Sequence, residues 1–254
     1  MRTRGNTVLI TGGSAGIGLA MAKAFSAAGN TVIVCGRNED RLKMTREVIP
    51  GVHTIQCDIA DNDERARLLA SIQRKFPQLN ILVNNAGIMQ IYDFVNSLGV
   101  SEKIEEEVRT NLLAPVELSS LFLPLLQQQS QAAIVLVSSG LAFVPVANVA
   151  VYCATKAALH SFSHSLRHRL KKTSVRVFEL LPPPVDTDLL KSLQMPKIQP
   201  EKVAEKLLKG LQREHYEIRV GMVRPLRMMS WLAPLFTELM LNKAFSGEGD
   251  TIHV

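Results

Sequence analysis

Thr7-Val-Leu-Ile-Thr-Gly-Gly-Ser-Ala-Gly-Ile-Gly18 is the stretch that decides the fold. A short β-branched run gives way to a glycine-rich turn and then to the helical pattern Leu19-Ala-Met-Ala-Lys-Ala-Phe25. Gly12, Gly16 and Gly18 suit a tight turn and let the main chain approach a pyrophosphate. The helix start then offers unpaired N–H groups and a positive dipole end to an anion. No Lys-Ser/Thr pair follows Gly18, which excludes a Walker A loop. A glycine-rich turn without a ligand is the plain alternative, but the motif sits at the first strand–helix junction, where dinucleotide binding needs it.

The same alternation continues down the chain. Strand-like runs fall at Thr31–Cys35, Val52–Ile55, Ile81–Val83, Ala133–Val137, Val175–Phe178 and Tyr216–Val220. Amphipathic segments lie between them at about 16–28, 39–48, 61–75, 101–128, 151–171 and 200–213. Several of the runs are apolar throughout, as expected of strands buried on both faces. The pattern predicts an α/β fold, a Rossmann-type doubly wound parallel sheet with helices on both faces, in a single domain over 1–254. Ligands in such sheets bind beyond the carboxyl ends of the strands, so the residues there carry the functional reading.

After the second strand comes Val34-Cys-Gly-Arg37, with no carboxylate at 35–37. A guanidinium matches a 2′-phosphate and an acid would repel it, which favours NADP(H) over NAD(H). Asp58, after the third strand, can accept from an adenine amino group or cap the helix starting near Asp61. Asn84-Asn85-Ala86-Gly87 ends the fourth strand; its small residues leave room for a flat ring, and it also reads as a turn.

The reactive residues follow strand five. Ser138-Ser139 ends it, and Tyr152-Cys-Ala-Thr-Lys156 opens the next helical run. Four-residue spacing puts Tyr152 and Lys156 on one helix face. A phenol titrates near pH 10 unperturbed, and a neighbouring ammonium is expected to lower it towards working pH. A serine at a strand end can hold the oxygen that exchanges the proton, or can simply cap the loop. Asn111 sits inside a helical pattern that runs towards Pro115, and it can stabilise a local bulge and hold a water.

Together these marks resemble the short-chain dehydrogenase/reductase superfamily over about residues 5–220. Leu9–Gly18, Ser138–Phe143 and Val151–Phe162 look most like the bacterial oxidoreductases of D-alanyl-lipoteichoic-acid operons. The resemblance implies carbonyl–alcohol interconversion by hydride transfer, with Tyr152 as general acid/base, Lys156 on the nicotinamide ribose, Ser139 on the substrate oxygen and Asn111 anchoring a relay water. It implies that Gly12, Ser14, Gly16, Ile17 and Gly18 line the phosphates, Arg37 the 2′-phosphate, Asp58 the adenine and Asn85 the ribose, beside Ala86 and Gly87. Val185 and Thr187 would cover the nicotinamide, although Pro183 stands where that family usually has Gly. A homodimer or homotetramer through the helices near 101–128 and 151–171 is implied too. A non-catalytic NADP(H)-binding regulator on the same fold is the rival reading.

The substrate side is expected to be apolar, from Leu141, Phe143, Val144, Val146 and Val149, with Met89, Ile91 and Tyr92 adding to it. Residues 188–200 fit a lid and 222–254 a C-terminal extension. Within the latter, 222–241 is rich in Met and Leu and carries Arg224 and Arg227. It suits an interfacial membrane helix, yet Pro225 and Pro234 favour packing over the substrate pocket or a second subunit. His160, His164 and His168 recur on one helix face with no carboxylate or cysteine in the pattern, and are read as surface or interface, not metal ligands.

The 254 residues are 46% apolar and 20% charged, an ordinary globular composition. The net charge of +6 admits an anionic ligand and does not call for nucleic acid. The 3 cysteines form no C-x-x-C pair, so a reducing compartment is expected. The apolar run near Met1 is too short for a signal peptide and no stretch is long enough to span a bilayer, so the expected location is the cytoplasm.

Overall fold

The computed structural model describes residues 1–92, 94, 100–191 and 194–245. Residues 192–193 of the expected lid and 246–254 of the expected extension lie outside the described residues. The strands are β1 (Thr7–Thr11), β2 (Thr31–Gly36), β3 (His53–Gln56), β4 (Ile81–Asn84), β5 (Ala132–Val137), β6 (Val175–Leu181) and β7 (Glu217–Arg219). They form a parallel sheet in the order β3-β2-β1-β4-β5-β6-β7. The order reverses beside β1, so the turns after β1 and β4 diverge and leave a crevice between them.

Successive side chains of a strand point to opposite faces, and the core divides accordingly. Val8 and Ile10 of β1 join one buried cluster, and Leu9 joins the other. The first cluster is closed by α1 (Gly16–Ala27), α2 (Glu39–Val48) and α7 (Pro200–Gln212), through Phe25, Leu42 and Leu207. The second is closed by α3 (Asn62–Lys75), α5 (Ala114–Gln127) and α6 (Ala150–Arg169), through Ile72, Phe122 and Leu159. Each such side chain contributes about 1.5–3 kcal/mol by leaving water.

Helix starts differ in a way that matters for the site. Asn38 caps α2 by accepting from the Arg41 amide at 2.9 Å, and Asp61 caps α3 by accepting from Glu64 at 2.8 Å. The start of α1 has Ala15 at the cap, which has no side-chain oxygen to offer its first-turn amides.

The expected long helix over 101–128 is interrupted. α4 (Ser101–Val108) and α5 are joined by a π-helical turn, Arg109–Leu113. This is the bulge anticipated at Asn111, one extra residue per turn just before Pro115. The apolar segment 222–241 is not one helix. It forms a hairpin of α8 (Val223–Leu232) and α9 (Pro234–Phe245), broken at Ala233 because the residue before proline avoids helical geometry.

Candidate active site

The glycine turn is shaped by contact as much as by flexibility. Gly12 and Gly16 have positive φ, +63° and +50°. A Cβ on Gly18 would fall 2.1 Å from the Gly12 carbonyl oxygen, and one on Gly16 would fall 2.9 Å from the Thr187 methyl group. Only glycine lets the α1 start lie against both its own turn and the loop after β6. Across the crevice, the Thr11 hydroxyl accepts from the amides of Asn85 and Ala86 at 3.0 and 3.1 Å. The Asn85 side chain donates back to the carbonyls of Thr11 and Gly12 at 3.0 and 3.2 Å. The ends of β1 and β4 are thereby stitched together.

A cleft of about 480 Å³ follows, bringing together Gly12, Ser14, Gly16, Ile17, Gly18, Arg37, Asp58, Asn85, Ala86, Gly87 and Thr187 from separate segments. The uncapped α1 amides, a turn that no Cβ could enter and two guanidinium groups form a donor set that fits a phosphorylated dinucleotide. Arg37 Nη1 lies 3.8 Å from Asp58 and 3.5 Å from Glu106, all exposed enough for solvent to screen them. Arg41, also in the cleft, was not singled out by the sequence reading; its Nη2 meets Asp188 at 3.0 Å. Its only sequence signal is its place one turn after Arg37. Asp58 does not cap α3; its Oδ1 accepts from the Ala60 amide at 2.9 Å, closing a turn before Asp61 takes the cap.

Tyr152 and Ser139 line a second, largely apolar cavity of about 260 Å³, which meets the cleft at Ile17, Thr187 and Leu189. Leu141 and Met89 line it as expected. Val146 and Val149 instead pack with Cys153 and Phe245 in a small core under α6. Val144 is buried, Ile91 is exposed, and Tyr92 is buried with its hydroxyl on Glu107. The missing wall comes from the C-terminal hairpin through Leu226, Met229 and Leu241.

Lys156 is buried, donates to the Val137 carbonyl at 3.0 Å and places its Nζ 5.4 Å from the centre of the Tyr152 ring. A Cβ on Gly87 would lie 3.5 Å from the same Nζ, so the ammonium reaches the floor of the cleft. The expected acidification of Tyr152 is not present in the chain itself. Burial pushes the phenol up to about 12, with the Ser139 hydroxyl pulling the other way. Burial likewise lowers Lys156 to about 8, opposed by Glu107. Desolvation is the largest cause for each because both groups are enclosed.

Asn111 is buried and joins the cluster by its backbone-directed amide. Its Oδ1 accepts from the Ile88 amide at 2.9 Å and its Nδ2 donates to the Ile88 carbonyl at 2.7 Å. A further donation reaches Thr155 at 3.4 Å, so the side chain ties the β4 loop to α6. Glu107, which carries no functional signal in the sequence, is fully buried and accepts from the Tyr92 hydroxyl at 2.8 Å. Burial pushes its carboxyl up, and the hydrogen bonds of Tyr92 and Gln90 and the charge of Lys156 draw it back.

The loop after β6 is pinned. The Pro182 carbonyl accepts from Gly140 at 3.1 Å, the Asp186 amide donates to Ile198 at 2.9 Å and the Ile198 amide to Pro184 at 3.1 Å. Val185 is buried against this bridge. Behind Ser139, the fold also supplies the carboxylate that the histidine spacing lacked. Glu179 of β6 lies with His160 and His164, their ligand-type atoms within 4.8 Å of one another; His168 is not among them.

The cleft lies at the reversal of strand order and adjoins an apolar cavity lined by Ser139 and Tyr152, with Lys156 beside the Tyr152 ring, the layout of a nucleotide-binding α/β protein. Residues 6–197 match the short chain dehydrogenase family, and the chain belongs to it. It is 48% identical over 233 residues to the uncharacterized oxidoreductase DltE of Bacillus subtilis, spanning 89% of this chain and 92% of that protein. Among solved structures, a short chain dehydrogenase from Burkholderia cenocepacia in complex with NADP superposes with a TM-score of 0.84 at 24% identity, covering 97% of this chain and all (100%) of that one. A short chain dehydrogenase/reductase from Burkholderia phymatum in complex with NAD superposes with a TM-score of 0.81 at 18% identity, covering 100% of both chains. These two likenesses establish the fold.

Proposed function

We propose that the chain is an NADP(H)-dependent oxidoreductase that interconverts a carbonyl and an alcohol on a largely apolar substrate. The observation that carries this reading is that Tyr152 and Ser139 line an apolar cavity that adjoins the glycine-lined cleft. A nicotinamide dinucleotide held in the cleft supplies or accepts the hydride. Gly12, Ser14, Gly16, Ile17 and Gly18 receive its phosphates, and Arg37 with Arg41 receives the 2′-phosphate. Asp58 and Asn85 would hold the adenosine beside Ala86 and Gly87, and Val185 and Thr187 would hold the nicotinamide end.

Ser139 orients the substrate oxygen, and Tyr152 donates a proton to it in the reducing direction and accepts one in the oxidising direction. Lys156 takes up its full charge when an anion enters the cleft, and a charged ammonium then draws the phenol down from about 12 towards working pH. Both amide atoms of the Asn111 side chain are engaged with Ile88, so we place a relay water at the backbone of the π-helical turn instead.

The test is NADPH oxidation against a panel of ketones, aldehydes and quinones, with Tyr152→Phe alongside. The expected result is turnover of at least one apolar carbonyl, with the variant binding NADPH as before and losing about 10²–10⁴ in kcat. A wild-type chain that binds NADPH and turns over none of the panel would make it a nucleotide-binding regulator instead.

A further inference from the structure

We infer that the tip of the C-terminal hairpin docks the protein on an anionic phospholipid bilayer. The tip is Trp231-Leu-Ala-Pro-Leu-Phe236, six residues without a polar side chain, and every one of them is exposed. Trp231 is 81% exposed, Leu235 76%, Leu232 65% and Phe236 62%. Met228 and Leu239 extend the same surface one turn back along each helix. Scattered exposed apolar residues are ordinary, but a run of large ones at one helix–helix turn marks a contact site.

The hairpin is held firmly enough to present that tip. The Ala147 amide donates to Asn242 at 2.7 Å, and the Arg227 guanidinium stacks on Phe143 with its carbon 4.4 Å from the ring centre. Val223 is buried against the turn after β5, and Leu226 reaches the same turn. The inner face therefore packs over the apolar cavity, as the proline pattern suggested, while the outer face and tip do not contribute to the core.

Charge decides between occupants. Arg224 and Arg227 stand exposed on the hairpin behind the tip, and Glu238 is its one acid among the described residues. A two-fold contact between copies sets a patch against itself and would bring these cations together. An anionic headgroup layer pairs with them while the tip enters the acyl boundary, the arrangement of an interfacial helix. The tip needs only to lie at the interface, since among the described residues no helix is long and apolar enough to cross a membrane. A tryptophan at headgroup depth is the usual anchor. Docking would also bring the apolar cavity, which Met229 and Met240 help to line, close to the lipid surface.

Trp231 is the only tryptophan in the chain, so its fluorescence reports on the tip alone. The full-length protein is titrated with vesicles of phosphatidylglycerol and phosphatidylcholine, then with vesicles carrying brominated acyl chains. The expected results are a blue shift, quenching by bromine, co-sedimentation that weakens at high salt, and at least tenfold weaker sedimentation for the Leu232→Ser/Leu235→Ser double variant. An unshifted spectrum at saturating anionic lipid overturns the proposal. So does a blue shift that needs only rising protein concentration and coincides with a dimer mass, because a second copy then covers the tip. None of these readouts requires turnover, so docking stands or falls independently of the carbonyl–alcohol reading.

Discussion

Ser138, the residue before Ser139, donates its hydroxyl to the carboxylate of Glu179 at 2.5 Å. Glu179 is fully buried on β6, accepts from Ser163 at 2.9 Å and faces His160 Nδ1 at 2.8 Å and 3.0 Å. The end of β5 that carries Ser138 and Ser139 is thus braced from behind by the Glu179 carboxylate. Glu179→Gln keeps the volume and loses the charge-assisted bonds, which costs about 2 kcal/mol in urea unfolding. It also lowers kcat several-fold while the NADPH dissociation constant stays put, because Ser139 loses its support and the cleft does not. Equal loss of kcat and of NADPH binding would show a general loosening in place of positioning.

Arg37 and Arg41 flank the same part of the cleft, each paired with exposed acids whose contacts are worth at most about 1 kcal/mol. A 2′-phosphate would therefore displace those partners readily. Arg37→Asp is expected to weaken NADPH binding by about 10–100-fold, the worth of a hydrogen bond to a charged group, and to leave NADH binding unchanged or improved. Arg41→Ala should weaken NADPH in the same direction and by less. Isothermal titration with both dinucleotides decides; equal dissociation constants in the wild type would remove the argument for NADP(H).

Burial moves Lys156 from its ordinary 10.5 to about 8, so it disfavours the charged form by about 3 kcal/mol at about 1.4 kcal/mol per tenfold. Between those two pH values the unfolded chain binds more protons than the folded one, and stability rises with pH. Tyr152 acts oppositely: held at about 12, it makes the folded chain bind more protons above pH 10, and stability falls there. Lys156→Met removes the first effect and keeps the second. Urea midpoints of the two proteins should therefore differ most below pH 8, with the variant the more stable. The gap should close by up to about 3 kcal/mol as the pH approaches 10. Parallel curves would mean that Lys156 is already solvated.

Gly18→Ala puts a methyl group 2.1 Å from a backbone oxygen, which no side-chain rotation relieves. The variant should lose NADPH binding beyond detection and unfold at a markedly lower temperature. Gly29 also has positive φ, +79°, but a Cβ there meets nothing within 4 Å, so Gly29→Ala should cost only about 1 kcal/mol and bind normally. Thermal melts with and without NADPH separate the two.

Much of this molecule is local in origin. The β-branched runs, the glycine turn at 12–18 and the four-residue step from Tyr152 to Lys156 each act within a few positions, where the strand and helix periods apply directly. The sheet, its helices, the dinucleotide-type turn and the bulge at Asn111 were therefore legible in order along the chain. What tertiary structure alone decided lies between distant segments. Glu179 and Glu107 are unremarkable letters until β6 and α4 bring them behind Ser138 and beside Lys156. Arg41 matters because α2 starts at the cleft, and the outer face of the hairpin is identified by what fails to pack on it. The directions of the Tyr152 and Lys156 shifts belong here too. Spacing announces an attractive pair, but the depth of burial sets the cost of charge, and depth is a property of the whole fold.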